Sequence, residues 1–304
     1  MKNAIFYYYQ LSSYDIHKID KAYFFKSSSY DLALIPTMLD NKEIEDLNNL
    51  SIRLMNLGIE TNQIIYNKAN LPITNIDGIN YVLIKYNKGK DQIITINDIM
   101  YFSNITTRID LKEKIKWKKL WIDKIDYMEY QITHFGKSNP KIRESFSYYV
   151  GLGENAISLI NSLGENYAMS VQHTRLKHDC NFFEFYNPLN FVVDSRVRDV
   201  CEYIKSKFFS IKNLDMDSFI ESVEDYIVNQ KYSRDELILF LSRLLFPTYY
   251  FDLYEQIVVG LKDEMSINLI IDRVNNYEKF LKRIYLYMCT FVSMPDIEWL
   301  KKNN

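Results

Sequence analysis

The sequence predicts an α+β chain with a small antiparallel β-rich lobe followed by a larger helical lobe. Up to about residue 105, short aromatic and β-branched runs alternate with turn residues. After that point, long amphipathic helical periods replace them. We therefore expect one domain at residues 1–90, a second at residues 91–304, and a polar hinge near residues 86–92.

Five runs in the first half have the composition of strands. They are rich in Tyr, Phe, Ile, Val and Leu, and the turn residues Asp77 and Gly78 separate the last two. The runs are "KAYFFKS", "SYDLALIP", "NQIIYNK", "LPITNI" and "INYVLIKY". They predict a five-stranded antiparallel sheet.

One helix lies between the second and third of these runs. Its apolar residues follow one another at three- and four-residue steps, which is the spacing of one helical face. They are Ile44, Leu47, Leu50, Leu54 and Leu57. Asp40 is placed to cap this helix and Gly58 to end it, so we expect a helix that starts near Asn41 and packs on the sheet.

Residues 106–301 are expected to be helical apart from an irregular, aromatic-rich segment at residues 171–195. The helix predicted over residues 111–134 carries one apolar stripe. Its members are Leu120, Trp121, Ile125 and Met128. "FSYYVGLGENAISLINSL" predicts the next helix, and four more helical stretches follow Asp199.

Charge and composition exclude several classes of function. The 37 Lys and Arg residues nearly balance 39 Asp and Glu residues, so no overall field draws the chain to nucleic acid or to an anionic membrane. No run of 18 apolar residues occurs, and the start has no ordinary signal peptide, so we expect neither a membrane span nor export. The three cysteines form no C-x-x-C pair, which predicts a reducing, cytoplasmic folding compartment.

Several segments together resemble one family of kinase-like proteins. They are "WKKLWIDKIDYMEYQI", "SFSYYVGLGENAISLI", "SRVRDVCEYIK", "SRLLFPTYYFDLYE" and "MPDIEWLKK". In this order and spacing they are similar to the spore-coat-associated branch of the aminoglycoside-phosphotransferase-like kinases, over roughly residues 1–301. The resemblance implies a bilobal protein-kinase-like fold.

In an active kinase of this superfamily, the catalytic loop supplies an Asp and an Asn, and a second Asp binds magnesium. The best match to this loop begins at His173 and puts Arg175 where the resemblance expects the catalytic Asp. The Asn position falls on Cys180, or on Asn181 if the loop is one residue longer. The magnesium-binding Asp falls on Asn187.

The first lobe departs from the pattern as well. The strand "SYDLALIP" offers Ala33 and Leu34 where a phosphate-binding Lys is expected. Glu43 and Glu45 on the next helix then have no strand Lys to pair with, and "KIDKAYFFKSSSYD" contains no glycine. Together these departures predict a pseudokinase with no catalytic residues, no cofactor and no metal.

Three functions remain open at this point. The first is a non-catalytic binding or scaffold protein, made in the cytoplasm and deposited on the spore coat, with protein partners in coat assembly. The second is an active aminoglycoside- or choline-type kinase that uses displaced acids such as Asp179 and Asp194. The third is an inactive lobe pair that still binds a nucleotide or a sugar as a signal. The sequence does not identify a small-molecule ligand.

Other polar residues of the irregular segment have structural interpretations. Asp199 is expected to accept hydrogen bonds from main-chain amides near His173, as the resemblance implies. Adjacent His178, Asp179 and Cys180 point in different directions on an extended segment, which disfavours a metal site.

Arg196 and Arg198 are expected to be ion-paired or solvated, and Cys201 to pack in the core. Core packing is also the interpretation of the paired tyrosines that fall at helical spacing. These are Tyr148, Tyr149, Tyr249 and Tyr250.

Overall fold

The computed structural model describes residues 1–28, 30–86, 91–111, 117–135 and 140–301. The chain divides into two compact units. Unit 1 comprises Met1–Thr95 and Asp179–Val192, and unit 2 comprises Ile96–His178 and Val193–Asn304. Residues 87–90 of the predicted hinge lie outside the described residues.

Unit 1 contains an antiparallel sheet in the order β1-β2-β3-β6-β4, with β5 also paired to β6. Its strands are β1 (Tyr14–Ile19), β2 (Ala22–Ser27), β3 (Tyr30–Pro36), β4 (Gln63–Ile65), β5 (Ile73–Ile76) and β6 (Ile79–Tyr86). The antiparallel sheet predicted from the sequence is confirmed, but the predicted number of five strands is wrong. The additional strand, β1, is an edge strand with five of its six residues exposed, so it lacks the apolar alternation that marks the others.

Two apolar clusters cover the two faces of this sheet. Leu32 and Leu34 of β3 pack with Ile5, which lies on the helix α1 (Lys2–Tyr9). The sequence analysis did not predict α1, because its run of three tyrosines has the composition of a strand rather than a helix. On the opposite face, Val82 and Ile84 pack with Ile44 of the helix α2 (Asn41–Asn56).

The cap at Asp40 and the stop at Gly58 that the sequence predicts for α2 are both confirmed. Asp40 Oδ1 accepts a hydrogen bond from the Glu43 N–H at 2.9 Å, and Glu43 Oε2 accepts one from the Asp40 N–H at 2.8 Å. This reciprocal capping box satisfies two donors that a helix start leaves unpaired. After the helix, Gly58 adopts a φ of +84°, a conformation that residues with a Cβ rarely adopt.

We expect Asp40→Ala to lower the free energy of unfolding by about 1 kcal/mol, because the Glu43 N–H loses its acceptor. Urea denaturation measures this change. Asp46→Ala is the matched control, since Asp46 is an exposed residue of the same helix with no capping bond. Equal losses in the two variants would show that the cap contributes nothing.

Residues 179–192 belong to unit 1, whereas the sequence analysis placed them in the second domain. Main-chain hydrogen bonds join this segment to the first part of the chain: Phe182 N–H donates to Gln92 O at 2.9 Å, and Asn62 N–H donates to Tyr186 O at 2.9 Å. The Phe183 ring packs against the Tyr86 ring at 4.8 Å. Aromatic packing and main-chain hydrogen bonds therefore hold this segment in unit 1. Its position late in the sequence does not reveal these contacts.

Unit 2 is built mainly from helices. They are α3 (Ile96–Thr106), α4 (Trp117–Phe135), α5 (Pro140–Asn161), α7 (Arg198–Ser210), α8 (Met216–Gln230), α9 (Arg234–Leu245), α10 (Thr248–Val258), α11 (Asn268–Ile271), α12 (Val274–Cys289) and α13 (Glu298–Lys301). The short helix α6 (Phe182–Phe185) belongs to unit 1, and β7 (Met169–His173) pairs with β8 (Phe191–Ser195). No helix within the described ranges is long and apolar enough to cross a membrane.

The core of unit 2 includes most of the apolar stripe predicted on α4. Trp121, Ile125 and Met128 are buried, and the Trp121 ring stacks on Phe246 at 4.4 Å. Leu120 is 52% exposed, so its placement on this stripe was wrong. The buried residues follow a four- and three-residue step from position 121, and position 120 is rotated by about 100° from that face.

Candidate functional site

The carboxylate of Asp199 fixes the end of β7 to the first turn of α7. Asp199 Oδ1 accepts a hydrogen bond from the His173 main-chain N–H at 2.9 Å, and Asp199 Oδ2 lies 2.6 Å from His173 Nδ1. The Asp199 N–H donates to Gln172 Oε1 at 2.8 Å. Both the His173 and the Asp199 side chains are 1% exposed. The main-chain hydrogen bond that the resemblance implied for Asp199 is therefore present.

We expect Asp199→Ala to lower the free energy of unfolding by about 1–3 kcal/mol, because buried donors of His173 lose their acceptor. Thermal and urea denaturation measure the loss. Asp217→Ala is the matched control, since Asp217 is an exposed acid in the first turn of α8, and we expect a change within about 0.5 kcal/mol there. An unchanged melting curve for Asp199→Ala would contradict the structural role of this carboxylate.

A second carboxylate, Asp194 of β8, is fully buried and is shared by two arginines. Its Oδ2 accepts hydrogen bonds from Arg198 Nη1 at 2.7 Å and from Arg243 Nη2 at 2.9 Å. Its Oδ1 accepts from the Ser195 N–H at 2.6 Å. Both oxygens of Asp194 are thus already engaged within unit 2.

Arg198 links this carboxylate to the loop after β7. Its Nε donates to His173 O at 2.9 Å, and its Nη2 donates to Thr174 O at 2.9 Å. One guanidinium thereby holds two successive main-chain carbonyls and the Asp194 side chain. The predicted ion-paired state of Arg198 is confirmed, as is that of Arg196, which pairs with Glu236 through two hydrogen bonds of 2.5 and 2.7 Å.

We expect Asp194→Asn to destabilise the protein by about 3–5 kcal/mol, since the change leaves the buried Arg243 and the partly buried Arg198 without their shared charge. The free energy of unfolding, measured in urea without added metal, tests this. Glu255→Gln serves as the control because Glu255 pairs with Lys124 where both side chains are partly exposed, and we expect a loss of about 0–1 kcal/mol. An Asp194→Asn variant as stable as the parent would show that the ion pairs of Asp194 contribute nothing to stability.

Arg175 lies where the resemblance places a catalytic Asp, and it forms an ion pair on the surface of unit 2. Its Nη1 and Nη2 donate to the two carboxylate oxygens of Asp252 at 2.5 and 3.3 Å. Burial raises the pKa of Asp252 above its ordinary value, although Arg175 opposes the rise. An arginine has no acceptor, so Arg175 cannot remove a proton from a substrate hydroxyl.

In unit 1, Asn181 and Asn187 use their side-chain oxygens to cap short helices. Asn181 Oδ1 accepts from the Glu184 N–H at 2.9 Å at the start of α6. Asn187 Oδ1 accepts from the Leu189 N–H at 3.1 Å at the start of a 3-10 helix, Pro188–Asn190. Cys180 is buried, and its Sγ lies 3.5 Å from Asn181 O. The capping bonds give both asparagines a structural use.

Unit 1 also contains a cavity of about 710 Å³, which we call the unit 1 pocket. Its lining comes from β1 to β3, the end of β6 and residues 181–190. The lining residues are His17, Ile19, Asp20, Lys21, Ala22, Phe24, Ile35, Pro36, Tyr86, Asp91, Asn181, Phe183, Glu184, Asn187 and Asn190. Three aromatic rings meet on one wall, with Phe183 at 5.5 Å from Phe24 and 4.8 Å from Tyr86.

The unit 1 pocket is acidic among its described lining residues. Asp20, Asp91 and Glu184 outnumber Lys21, the only Lys or Arg of that lining. The phenol of Tyr86 is affected by this environment, because burial, followed by the charges of Asp31 and Asp91, raises its pKa to about 12. Such a pocket disfavours an anionic ligand.

The β3 residues that line this pocket are Ile35 and Pro36, not Ala33 or Leu34. Ala33 and Leu34 are fully buried, and Leu34 packs with Ile5 on the opposite face of the sheet. Leu34 therefore faces away from the pocket, whereas Ala33 lies two residues before Ile35 and shares its face, since alternate strand residues point to the same side. Neither Ala33 and Leu34 nor the pocket-lining Ile35 and Pro36 supplies a cation. Glu43 of α2 has its own structural use in the capping box.

Cys201 is buried, and the candidate metal ligand His178 contacts a neighbouring hydroxyl. Burial raises the pKa of the Cys201 thiol, despite the opposing charges of Arg243 and Lys205, so the thiol stays protonated and Cys201 packs in the core as expected. His178 Nδ1 lies 3.1 Å from Ser206 Oγ. Within the described ranges, no group of three or more His, Cys, Asp or Glu side chains is arranged to hold a metal.

The paired tyrosines pack within unit 2: Tyr149 and Tyr250 are fully buried, as predicted for core residues, whereas Tyr148 and Tyr249 are partly exposed. Tyr149 stacks on Tyr250 with ring centres 3.7 Å apart, and Tyr148 Oη donates to Glu278 at 2.8 Å. Tyr249 stacks on Phe209 at 3.9 Å.

One residue at the Asp194 cluster was missed by the sequence analysis. Arg243 lies within the apolar run "LILFLSRLLF" and is 4% exposed. A charged residue inside such a run signals a paired, buried charge, because an unpaired one is rarely tolerated there. That signal indicates burial, but it does not indicate which acid is the partner.

Comparisons with known proteins identify the family. A model of the family described as "Spore coat putative kinase YutH" matches residues 2–284. The chain belongs to this family. A curated relative, the endospore coat-associated protein YutH of Bacillus subtilis (strain 168), is 26% identical over 214 residues. That match covers 62% of this chain and 62% of the relative's length.

Solved structures share the fold. The aminoglycoside phosphotransferase from Alicyclobacillus acidocaldarius matches with a TM-score of 0.70 at 9% identity, over 95% of this chain and 96% of that one. A spectinomycin phosphotransferase, solved with ADP and spectinomycin, matches with a TM-score of 0.60 at 10% identity, over 94% of this chain and 97% of that one. At these identities the likeness shows the fold alone. The predicted kinase-like fold of the aminoglycoside phosphotransferases is thereby confirmed.

Proposed function

We propose that this protein is a non-catalytic, kinase-like binding or scaffold protein that takes part in spore-coat assembly. The observation that carries the proposal is the charge of the unit 1 pocket. Its described lining offers Asp20, Asp91 and Glu184 against Lys21, and its β3 residues are Ile35 and Pro36. ATP brings about four negative charges, which active kinases offset with a strand Lys and with magnesium. Here the described lining adds negative charge instead of offsetting it.

The state of the metal-binding positions supports the same proposal. Asp194, the buried acid of β8, is already paired with Arg198 and Arg243. Asn181 and Asn187 use their side-chain oxygens as helix caps. Magnesium requires near-octahedral oxygen ligation and is usually held through one or two carboxylates. Binding it at Asp194 would require breaking the ion pairs of this buried carboxylate with Arg198 and Arg243.

The chemistry of proton removal supports it as well. Arg175 replaces the expected catalytic Asp and pairs with Asp252. Asp179, one of the acids considered for an active kinase, is exposed and does not line the unit 1 pocket. Of the two acids considered for an active kinase, Asp194 is ion-paired and Asp179 lies outside the lining of the unit 1 pocket. Neither is placed to take a proton from a substrate in that pocket.

The spore-coat part of the proposal rests on the family. Its description names the spore coat, and the relative from Bacillus subtilis is named as endospore coat-associated. We infer that the chain is made in the cytoplasm, is deposited on the coat and binds other coat proteins there. A scaffold needs the fold and its surface, which the loss of catalytic groups leaves intact.

Thermal denaturation with nucleotide separates the scaffold from an enzyme. At millimolar ATP we expect no magnesium-dependent shift of the melting temperature, because the acidic pocket repels the phosphates. The assay is sensitive, since a dissociation constant one hundredth of the ligand concentration would stabilise the fold by about 2.7 kcal/mol. Magnesium alone and ATP with EDTA, at matched ionic strength, are the controls. We also expect no phosphotransfer to aminoglycosides, choline or protein.

A magnesium-dependent stabilisation would contradict the proposal. If Asp179→Ala abolished such a stabilisation and Asp217→Ala did not, the active kinase with displaced acids would replace the scaffold. A stabilisation by ATP without any transfer of phosphate would favour nucleotide sensing instead.

A further inference from the structure

Unit 2 contains a separate cavity of about 210 Å³ whose lining is unusually cationic. Arg175, Arg198, Lys205 and Arg243 line it, while Glu202 is the only acid of its lining among the described residues. This is the reverse of the charge in the unit 1 pocket. We call it the Arg198–Arg243 pocket.

These four cations are paired with only three acids. Arg175 pairs with Asp252, and Lys205 pairs with Glu202 at 2.9 Å. Arg198 and Arg243, however, share the single carboxylate of Asp194. One positive charge in this group of paired residues is therefore not neutralised, and it belongs to the two arginines that face the cavity.

Arg243 also has an unused donor. Its Nε is buried and has no hydrogen-bond partner among the described residues, while its Nη2 is bonded to Asp194. The guanidinium lies over the ring of Trp117, with its central carbon 3.9 Å from the ring centre. Stacking uses the face of a guanidinium and leaves the N–H groups at its edge available for an oxyanion. Buried donors without a partner are uncommon in proteins, and an oxyanion bound in the cavity would give Arg243 Nε an acceptor.

The ionisation of Glu202 is consistent with a cationic cavity. Burial by itself would raise its pKa, but Lys205, Arg243 and Arg198 together lower that pKa below the ordinary value. The surrounding positive charge therefore outweighs the cost of burying this carboxylate.

We propose that the Arg198–Arg243 pocket binds the phosphate or carboxylate group of a small acidic ligand. Arginine edges match the planar geometry of such oxyanions and hold them with paired, charge-assisted hydrogen bonds. Trp117 and Trp121 form an apolar wall beside the cations, which suits a ring attached to the anionic group. The volume is below the 300–1,000 Å³ typical of drug-sized ligands, so the ligand is the size of a single acidic sugar.

This site is independent of the proposed loss of kinase activity. It lies within unit 2, it uses no magnesium, and its ligand has the charge that the unit 1 pocket disfavours. Binding in EDTA therefore tests the site alone, whatever the outcome of the ATP experiment.

Tryptophan fluorescence provides the readout. The chain has three tryptophans, and Trp117 and Trp121 line the pocket whereas Trp299 does not. In a Trp299→Phe background with EDTA and at constant ionic strength, we expect a saturable fluorescence change with glucose 6-phosphate and with glucuronate. Neutral glucose should give none, and inorganic phosphate should bind more weakly than glucose 6-phosphate because it lacks the ring.

Substitutions of single arginines localise the binding. Arg198→Gln and Arg243→Gln should each weaken binding at least tenfold. The matched control is Arg283→Gln, which removes another acid-paired arginine of unit 2 outside the lining and should leave affinity unchanged. If burial of Arg243 prevents folding of its variant, the exposed Arg175→Gln replaces it, with an expected loss of about threefold.

Two results would overturn the inference. The first is the absence of any saturable change with all three anions. The second is an affinity of the Arg198 and Arg243 or Arg175 variants equal to that of Arg283→Gln. If inorganic phosphate bound as tightly as glucose 6-phosphate, oxyanion binding would stand and the contribution of the tryptophan wall would be refuted.

Discussion

The buried carboxylate of Asp194, shared by Arg198 and Arg243, is the interaction on which the rest of unit 2 depends. A fully buried acid is tolerated only when its charge is matched and its oxygens are bonded. Arg198 satisfies this requirement and, with the same guanidinium, holds the carbonyls of His173 and Thr174. The loop after β7 is therefore fixed by the same charge that neutralises the acid. A metal ion could bind this carboxylate only by displacing one of the two arginines.

The described lining of the unit 1 pocket is mainly acidic, and that of the Arg198–Arg243 pocket is mainly basic. The two proposals rest on this difference. The unit 1 pocket has acids and an aromatic wall where an active kinase would need cations for phosphates. The Arg198–Arg243 pocket has cations and tryptophans, and its surplus charge comes directly from the sharing of one acid by two arginines. In the pseudokinase that we propose, charges no longer needed for catalysis would be free for roles in structure or recognition. The same arginines then stabilise the fold and present donors to a ligand.

Local signals made much of the fold predictable from the sequence. The capping box at Asp40 and most of the strands follow from short-range patterns, whereas the exposed edge strand β1 carries no apolar alternation and was missed. The site was less accessible to prediction. Resemblance led to Asp199 and its bond to His173, but on β3 the pocket-lining residues Ile35 and Pro36 lie two positions beyond the predicted Ala33 and Leu34. The partnership of Arg243 with Asp194 joins distant segments, and no local pattern encodes it.

A crystal structure of the protein grown with millimolar magnesium and a non-hydrolysable ATP analogue tests the central claim most directly. We expect the Asp194 carboxylate to keep both arginines, with no metal beside it and no nucleotide phosphate in the unit 1 pocket. A magnesium ion bound to Asp194, with Arg198 or Arg243 displaced, would contradict the claim that arginine pairing has replaced metal binding in this protein.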